Sequence, residues 1–334
     1  MKRACIYTFI FLFVTVELSA KPVVLTLYPA KVSESQQKYQ LLPKADQKID
    51  ADAVPLYEKA IESIPKDFNS EQVTDWLILP LKELPQEQAD KVIQQCMDSL
   101  KLVTRAARCN ECNWPEWNPD ADTPGLKGYR HLAFVIRLWA RLEISRGQYD
   151  GAFVAMQTGF GMAKHLGQAP TINQGLVGIA TGALMCKEIE QFIQQKDSPN
   201  LYLALADLPR PFINIEKAIA NERENLKSYN SQLRKQFETQ LKPAHDRTRM
   251  IANRFSNHLN VLQAVEAIRN FATTHDGKLP KSLSDISEVE VPKDLVSGEV
   301  FYYRLTDAGA ILKSAIPEGG DEKDSTQYEI VLNK

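Results

Sequence analysis

The sequence has little glycine, and it has no excess of charge of either sign. Its 15 glycines in 334 residues exclude a collagen-like chain, in which every third residue is glycine. The 40 lysine and arginine residues are balanced by 42 aspartate and glutamate residues, so the chain as a whole has no positive field to attract nucleic acid. Because 44% of the residues are hydrophobic and 25% are charged, the composition is that of a folded globular protein.

The sequence also lacks the short motifs that mark common catalytic sites. It contains no Gly-x-Ser-x-Gly, no His-Glu-x-x-His and no Ser-x-x-Lys with its partner motifs. Gly159 and Gly161 lie in a helical pattern, without the lysine of a phosphate-binding loop. Glutamates two residues apart, such as Glu188 and Glu190, diverge around a helix and are interpreted as solvated. These absences predict a protein without catalytic residues and without a cofactor.

One apolar run lies at the extreme N-terminus. Lys2 and Arg3 precede the apolar residues 4–16, and the small residues Ser19 and Ala20 follow. This order is typical of a secretory signal peptide, and the run is shorter than the roughly 20 residues of a spanning helix. The sequence therefore predicts a signal peptide that ends at Ala20 and an exported, periplasmic or extracellular protein with no later membrane span. The alternative is an uncleaved signal that anchors the protein.

Four cysteines follow the predicted signal peptide: Cys96, Cys109, Cys112 and Cys186. Disulfides form in exported proteins, and an even number of cysteines permits full pairing. The Cys109-Asn-Glu-Cys112 sequence is open to three interpretations: a structural disulfide or unreactive thiols, half of a metal site, or a redox pair. A zinc site needs further ligands, and the nearest histidine is His131.

The longest irregular stretch includes these two cysteines and spans residues 109–128. It contains four candidate ligand-binding residues, Trp114, Trp117, Asp120 and Asp122. Aromatic rings offer flat faces to ligands such as sugars, and carboxylates act in glycoside hydrolysis, so the loop is a candidate glycan site. Loop tryptophans also serve to attach a loop to the core. The acidic residues lack the glycine and the closing glutamate of a calcium loop.

Apolar residues recur at helical spacing through most of the chain. Ala53, Tyr57 and Ala60 have the spacing of the second helix of a tetratricopeptide repeat. Gly147 and Tyr149 are spaced like residues of the turn between the two helices of such a repeat. Three strongly helical segments follow one another, at residues 131–146, 150–166 and 171–194. We therefore expect a mainly α-helical protein with an antiparallel, tetratricopeptide-like array, although generic helix pairs fit the pattern equally well.

The helical array is expected to span residues 21–212 and to be followed by two further parts. Residues 213–274 are expected to form long helices, with an apolar stripe that Pro243 interrupts. His258 lies on the apolar face of the second long helix and is interpreted as a core histidine. Residues 275–334 contain three segments typical of strands and predict a small antiparallel β-sheet.

Two parts of the chain resemble known families. Residues 264–305 are similar to the globular end of type II secretion pseudopilins, where a helix, a turn and a strand succeed one another. The matching residues are His275, Gly277, Leu279, Pro280, Ser282, Leu283, Pro292, Asp294, Ser297, Gly298, Phe301 and Tyr303. Residues 141–185 and 200–219, together with this tail, resemble a family of exported helical proteins of planctomycete-type bacteria. The resemblances imply an architecture and supply no catalytic residues.

These features predict an exported, non-catalytic helical protein that acts as a scaffold for a protein or peptide in the periplasm or envelope. Its partner is expected to be an envelope or secreted protein and not a nucleic acid. The alternative is a protein that binds or hydrolyses envelope glycan through the loop of Trp114 and Trp117.

Overall fold

The computed structural model describes residues 22–33, 38–115, 126–227 and 230–333. The predicted signal peptide, residues 1–20, lies outside these ranges. The described chain is mainly helical, as the apolar periodicity predicts, with a small sheet at the C-terminal end. Its α-helices are α1 (Val54–Glu62), α2 (Ser70–Ile78), α3 (Gln86–Gln95), α4 (Met97–Ala106), α5 (Leu126–Ser145), α6 (Tyr149–Leu166), α7 (Ile172–Phe192), α8 (Tyr202–Ala206), α9 (Glu216–Leu226) and α10 (Ser231–Thr274). Its strands are β1 (Val23–Leu27), β2 (Ile49–Asp52), β3 (Cys109–Glu111), β4 (Tyr302–Thr306), β5 (Gly309–Lys313) and β6 (Gln327–Leu332).

The helical body is built around the three successive helices α5, α6 and α7. Each of the three packs against the other two, so they share one core. α7 begins where the Thr171 side chain accepts a hydrogen bond from the Gln174 backbone N–H at 3.2 Å, which satisfies a donor that the helix leaves free. Large apolar side chains between the helices are fully buried, among them Ile136, Phe160 and Phe192.

The first four helices surround this core in an order that differs from stacked repeats. α1 packs chiefly against α4, whereas α2 and α3 pack against α5. In a stack of helical hairpins, each helix packs against its neighbour in the chain. Ala53, Tyr57 and Ala60 do lie fully buried on one face at α1. The spacing therefore predicts which side chains are buried and not which helices pair.

Helices approach closely where the sequence concentrates glycine. A Cβ on Gly161 would lie 2.7 Å from the Ala107 carbonyl oxygen, and one on Gly178 would lie 2.8 Å from the Ala163 carbonyl oxygen. Both distances are too short for a side chain, so glycine is required at these contacts. α6 thus meets the end of α4, and α7 meets α6, at backbone distance.

α10 is the axis of the C-terminal half. Its 44 residues extend over about 66 Å at 1.5 Å per residue. Residues 255–272 are buried without interruption, so this part of the helix is covered on all sides, whereas residues 231–242 are mostly exposed. None of the described helices, α10 included, is long and apolar enough to cross a membrane.

The predicted interruption at Pro243 is wrong, because α10 continues through this residue. The predicted stripe is divided earlier, between Leu226 at the end of α9 and Ser231 at the start of α10. Asn230 starts α10: its Oδ1 accepts a hydrogen bond from the Leu233 backbone N–H at 2.9 Å. Pro243 is exposed, so water reaches the carbonyl oxygen that has lost its N–H partner.

The small sheet is mixed, and the prediction of a purely antiparallel sheet is wrong. Its strand order is β1-β6-β5-β4, and the β4–β5 and β5–β6 pairs are antiparallel as expected. β1 adds to β6 in parallel, with Leu25 opposite Ile330. Leu25 and Leu27 are fully buried, so this N-terminal strand belongs to the core. A separate two-stranded parallel sheet joins β2 and β3.

A buried carboxylate, that of Asp294, helps to hold the segment between α10 and β4. Asp294 accepts hydrogen bonds from the backbone N–H groups of Val296 at 2.7 Å and Ala315 at 2.6 Å. It also accepts one from Asn257 Nδ2 of α10 at 3.0 Å. Because a buried carboxylate is stable only when hydrogen-bonded, these contacts attach the segment to α10 and to the end of β5.

Candidate functional site

Trp114, a predicted ligand-binding residue, packs against the helical body. Its indole N–H donates a hydrogen bond to the His165 backbone carbonyl at 2.9 Å, and its ring centroid lies 5.7 Å from that of Tyr129. The side chain is half-buried against the core. These contacts favour the interpretation in which Trp114 attaches the loop to the core. Outside the described residues lie the other three candidates, Trp117, Asp120 and Asp122.

Tyr57 and His165 form a buried pair beside Trp114. The Tyr57 hydroxyl lies 2.8 Å from His165 Nδ1, and both side chains are buried. Burial lowers the pKa of His165 to about 4, so the imidazole is neutral at pH 7. Because both side chains are buried, the pair is a hydrogen-bonded core contact.

Cys109 and Cys112 are free thiols in the structure, as are Cys96 and Cys186. The described structure joins none of these cysteines in a disulfide, so it gives no support to the disulfide interpretation. Burial raises the pKa of both thiols, and the Asp52 carboxylate adds to this effect. Protonated thiols are poor nucleophiles and poor metal ligands. No group of three or more potential ligands among the described residues is placed to hold a metal ion.

The interpretation of Glu188 and Glu190 as solvated is wrong, because both are buried on α7. Glu190 Oε1 accepts hydrogen bonds from the Tyr328 hydroxyl at 2.7 Å and from His258 Nε2 at 3.2 Å. Lys187 Nζ lies 3.0 Å from Glu190 Oε2. Burial works to raise the pKa of Glu190, but the His258 hydrogen bond and the Lys187 charge lower it to about 2. His258 is thus a core histidine, as predicted, in a cluster that joins α7, α10 and β6.

Glu188 is directed to other helices. Its Oε1 accepts a hydrogen bond from Arg137 Nε at 2.7 Å and lies 3.6 Å from Arg141 Nη1. Arg137 also donates to the Leu77 carbonyl at 3.1 Å, so this cluster joins α7 to α5 and α2. The two glutamates therefore neutralise separate cations and do not form a carboxylate pair for acid–base chemistry.

One face of α4 lines an open groove of about 410 Å³, which we name the α4 groove. Its lining residues are Ile49, Met97, Leu100, Lys101, Thr104, Arg105, Arg108 and Trp139. Those of the α4 segment recur at intervals of one helical turn, so they form one stripe. Ile49 of β2 and Trp139 of α5 complete the lining. The groove combines an apolar floor with three cationic side chains.

A second opening of similar volume lies between α9 and α10. Its lining residues are Glu216, Ile219, Ala220, Arg223, Glu224, Lys227, Arg234 and Glu238. Several of these charges are paired within the protein: Lys227 Nζ lies 2.6 Å from a Glu224 carboxylate oxygen, and Arg249 Nε donates to Glu216 at 2.6 Å. Because these charges are paired within the protein, this opening has fewer unpaired charges to bind a ligand than the α4 groove has.

The α4 groove is the site that sequence reasoning misses. The spacing of Lys101, Arg105 and Arg108 is the signal that could have found it, because it places three cations on one helix face. Ile49 and Trp139 come from distant parts of the chain, so the groove itself is visible only in the fold.

Comparison with protein-family models, with curated proteins and with solved structures finds no match to this chain. A function is therefore inferred from the geometry of the described residues. Within that geometry, the α4 groove combines an apolar lining with charges that the described protein leaves largely unneutralised.

Proposed function

We propose that this protein is an exported, non-catalytic helical scaffold that binds a protein or peptide in the periplasm or envelope, with the α4 groove as its docking site. The observation that carries the proposal is the apolar floor of an open groove of about 410 Å³. Ligand sites in proteins enclose about 300–1,000 Å³, so the groove has room for a few side chains. Burial of a partner's apolar side chains on that floor drives association.

The groove is long enough for a short extended segment. The stripe from Met97 to Arg108 measures about 16 Å at 1.5 Å per residue. An extended peptide covers this length in about five residues at 3.3 Å per residue. Met97 and Trp139 are only half-buried by the protein, so they retain apolar surface for such a segment.

Export and a repeat-like helical array are part of the proposal. β1 begins at Val23, shortly after the predicted cleavage at Ala20, so the cleaved chain retains every element of the described fold. The successive packed helices α5, α6 and α7 support a tetratricopeptide-like array, and such arrays bind partners along helix faces. The pseudopilin-like tail then closes the C-terminal end of the array.

Phage display against the purified mature chain, residues 21–334, tests peptide binding. Enriched peptides are expected to slow hydrogen–deuterium exchange in α4 and β2, which line the groove. Failure to enrich any peptide, or slowed exchange confined to other elements, overturns the proposal. Mass spectrometry of the protein from its producing cells tests export: an N-terminus at Lys21 is expected, and a chain that starts at Met1 overturns cleavage.

A glycan assay separates the scaffold from the alternative function. Trp114 is engaged with the core, so a glycan site in the loop would depend on Trp117, Asp120 and Asp122. The mature protein is incubated with isolated cell-wall glycan, and no release of soluble sugar is expected. Release of sugar that Asp120→Asn or Asp122→Asn abolishes overturns the scaffold in favour of a hydrolase.

A further inference from the structure

The α4 groove carries three cationic side chains and no acidic one. Lys101, Arg105 and Arg108 line it together with Thr104 and apolar residues. The whole chain has a net charge of -2, so this cationic row does not follow from a general basic excess. A local positive field at an apolar groove favours ligands of negative charge.

The described part of the protein neutralises the cationic row only weakly. Lys101 Nζ lies 3.5 Å from Asp98 Oδ1, but both side chains are mostly exposed, and such pairs are weak. Within the described residues, Arg105 and Arg108 take part in no ion pair. Arg108 Nε is buried there without a hydrogen-bond partner. A guanidinium that no carboxylate of the described protein pairs gains charge-assisted hydrogen bonds when a ligand supplies the carboxylate.

The spacing of the cations matches an extended acidic segment. Lys101 and Arg105, like Arg105 and Arg108, are about one helical turn apart, which separates neighbours in the row by about 5–6 Å. In an extended peptide, alternate residues lie on one face at intervals of about 6.6 Å. Carboxylates at alternate positions therefore meet successive cations, and the residues between them point the other way, where the lining residues from other elements, Ile49 and Trp139, are left for them to contact.

We infer that the α4 groove selects an extended peptide in which acidic residues alternate with apolar ones, and that Lys101, Arg105 and Arg108 determine this specificity. The inference rests on the proposed function, because it names the chemistry of the peptide that the scaffold binds. The apolar residues of the segment contact Ile49 and Trp139, and its carboxylates pair with the cationic row.

Fluorescence anisotropy with two labelled pentapeptides tests the inference. Glu-Leu-Glu-Phe-Glu carries the carboxylates, and Gln-Leu-Gln-Phe-Gln has amides of the same shape. The mature protein is expected to bind the acidic peptide about tenfold more tightly at an ionic strength of about 0.01 M, since exposed ion pairs contribute modestly and several act together. At about 0.15 M the preference is expected to shrink, because salt screens exposed charges.

Charge variants assign the preference to the groove. Arg105→Gln combined with Arg108→Gln is expected to abolish most of the tenfold preference for the acidic peptide. Lys66→Gln combined with Lys278→Gln removes the same charge at exposed positions outside the groove, and it is expected to keep the preference. Equal urea midpoints for the two double variants confirm that both are folded.

The outcomes separate the inference from the function on which it rests. Equal affinity for the two peptides overturns the inference and leaves the scaffold in place, because the groove then binds peptides without regard to charge. Tighter binding of an oligothymidylate than of the acidic peptide also overturns it and assigns the cationic row to a phosphodiester. If phage display enriches peptides that slow hydrogen–deuterium exchange in α4 but neither pentapeptide binds, the inference is overturned and the proposed function is kept.

Discussion

Arg269 and Glu266 lie one turn apart on α10 and form an ion pair that is completely buried. Arg269 Nη1 donates to both carboxylate oxygens of Glu266, at 2.8 and 3.1 Å. Its other donors reach the backbone carbonyls of Tyr28 at 3.0 Å and Ser198 at 3.1 Å. One guanidinium therefore attaches the segment after β1 and the loop before α8 to the central helix.

Arg269→Met is expected to lower the free energy of unfolding by about 3–5 kcal/mol, because Glu266 is left as a buried charge without a partner. Urea unfolding followed by circular dichroism measures the change. Adding Glu266→Leu removes the unpaired charge, and the double variant is expected to regain part of the loss. Arg146→Met, which breaks a partly exposed pair with Asp90, serves as the control and costs below about 1 kcal/mol. Equal losses for the two arginine variants contradict the role of the buried pair.

Stability is expected to fall as the pH decreases from 6.5 to 4, because His165 is neutral in the folded protein. Burial lowers its pKa from 6.5 to about 4, so in this range the unfolded chain takes up a proton that the folded protein does not. The loss from His165 reaches about 3 kcal/mol when complete. Burial also lowers the pKa of His131 and His258, which act in the same direction. Glu190, whose pKa is lowered from 4.5 to about 2, begins to lose its contribution near pH 4.5 and loses most of it below pH 4.

His165→Gln is expected to flatten the dependence of the urea midpoint on pH between 6.5 and 4, because it removes one of the titrating groups. The exposed His275 offers the matched control, and His275→Gln is expected to keep the wild-type slope. Slopes are compared rather than absolute midpoints, since the substitution also alters the hydrogen bond to Tyr57. An unchanged slope in His165→Gln contradicts a buried, neutral imidazole.

A thiol titration of the mature protein in denaturant, without reductant, is expected to find four free thiols. In the native protein the reaction is expected to be slow, because burial raises the pKa of Cys96 to about 11 and raises that of Cys112 as well. A chain that keeps the predicted signal peptide contains Cys5 and gives five thiols. A count of two identifies one disulfide among the four cysteines and contradicts the free thiols of the structure.

Local patterns predict the helices because the hydrogen bonds and apolar spacing of a helix involve residues close in the chain. α6 and α7 agree with the predicted segments at residues 150–166 and 171–194 to within two residues. The pairing of β1 with β6 joins the two ends of the chain, and no local pattern reports it. Pro243 is an exception to a local rule. Proline usually interrupts a helix, but α10 continues through Pro243, where the helix face is exposed.

The candidate site, like the fold, could be predicted from the sequence only in part. The sequence suggests that a loop tryptophan can attach the loop to the core, but the partners of Trp114 come from α5 and α6. Glu188 and Glu190 are buried because cations and hydrogen-bond donors from α5, α10 and β6 contact their carboxylates. Their two-residue spacing on α7 does not report these partners, so the sequence alone wrongly indicates solvated side chains. The cationic row on α4 is visible in the sequence, whereas the Ile49 and Trp139 that complete the groove are not.

Gly178→Ala is expected to lower the free energy of unfolding by about 1–3 kcal/mol, because its Cβ would lie 2.8 Å from the Ala163 carbonyl oxygen and would separate α7 from α6. Gly159→Ala is the matched control on α6. Its Cβ would meet the Met185 side chain, which is flexible, and alanine favours a helix over glycine by about 1 kcal/mol, so a smaller loss or a gain is expected. Urea unfolding compares the two variants. If Gly178→Ala costs no more than Gly159→Ala, α6 and α7 do not meet at backbone distance.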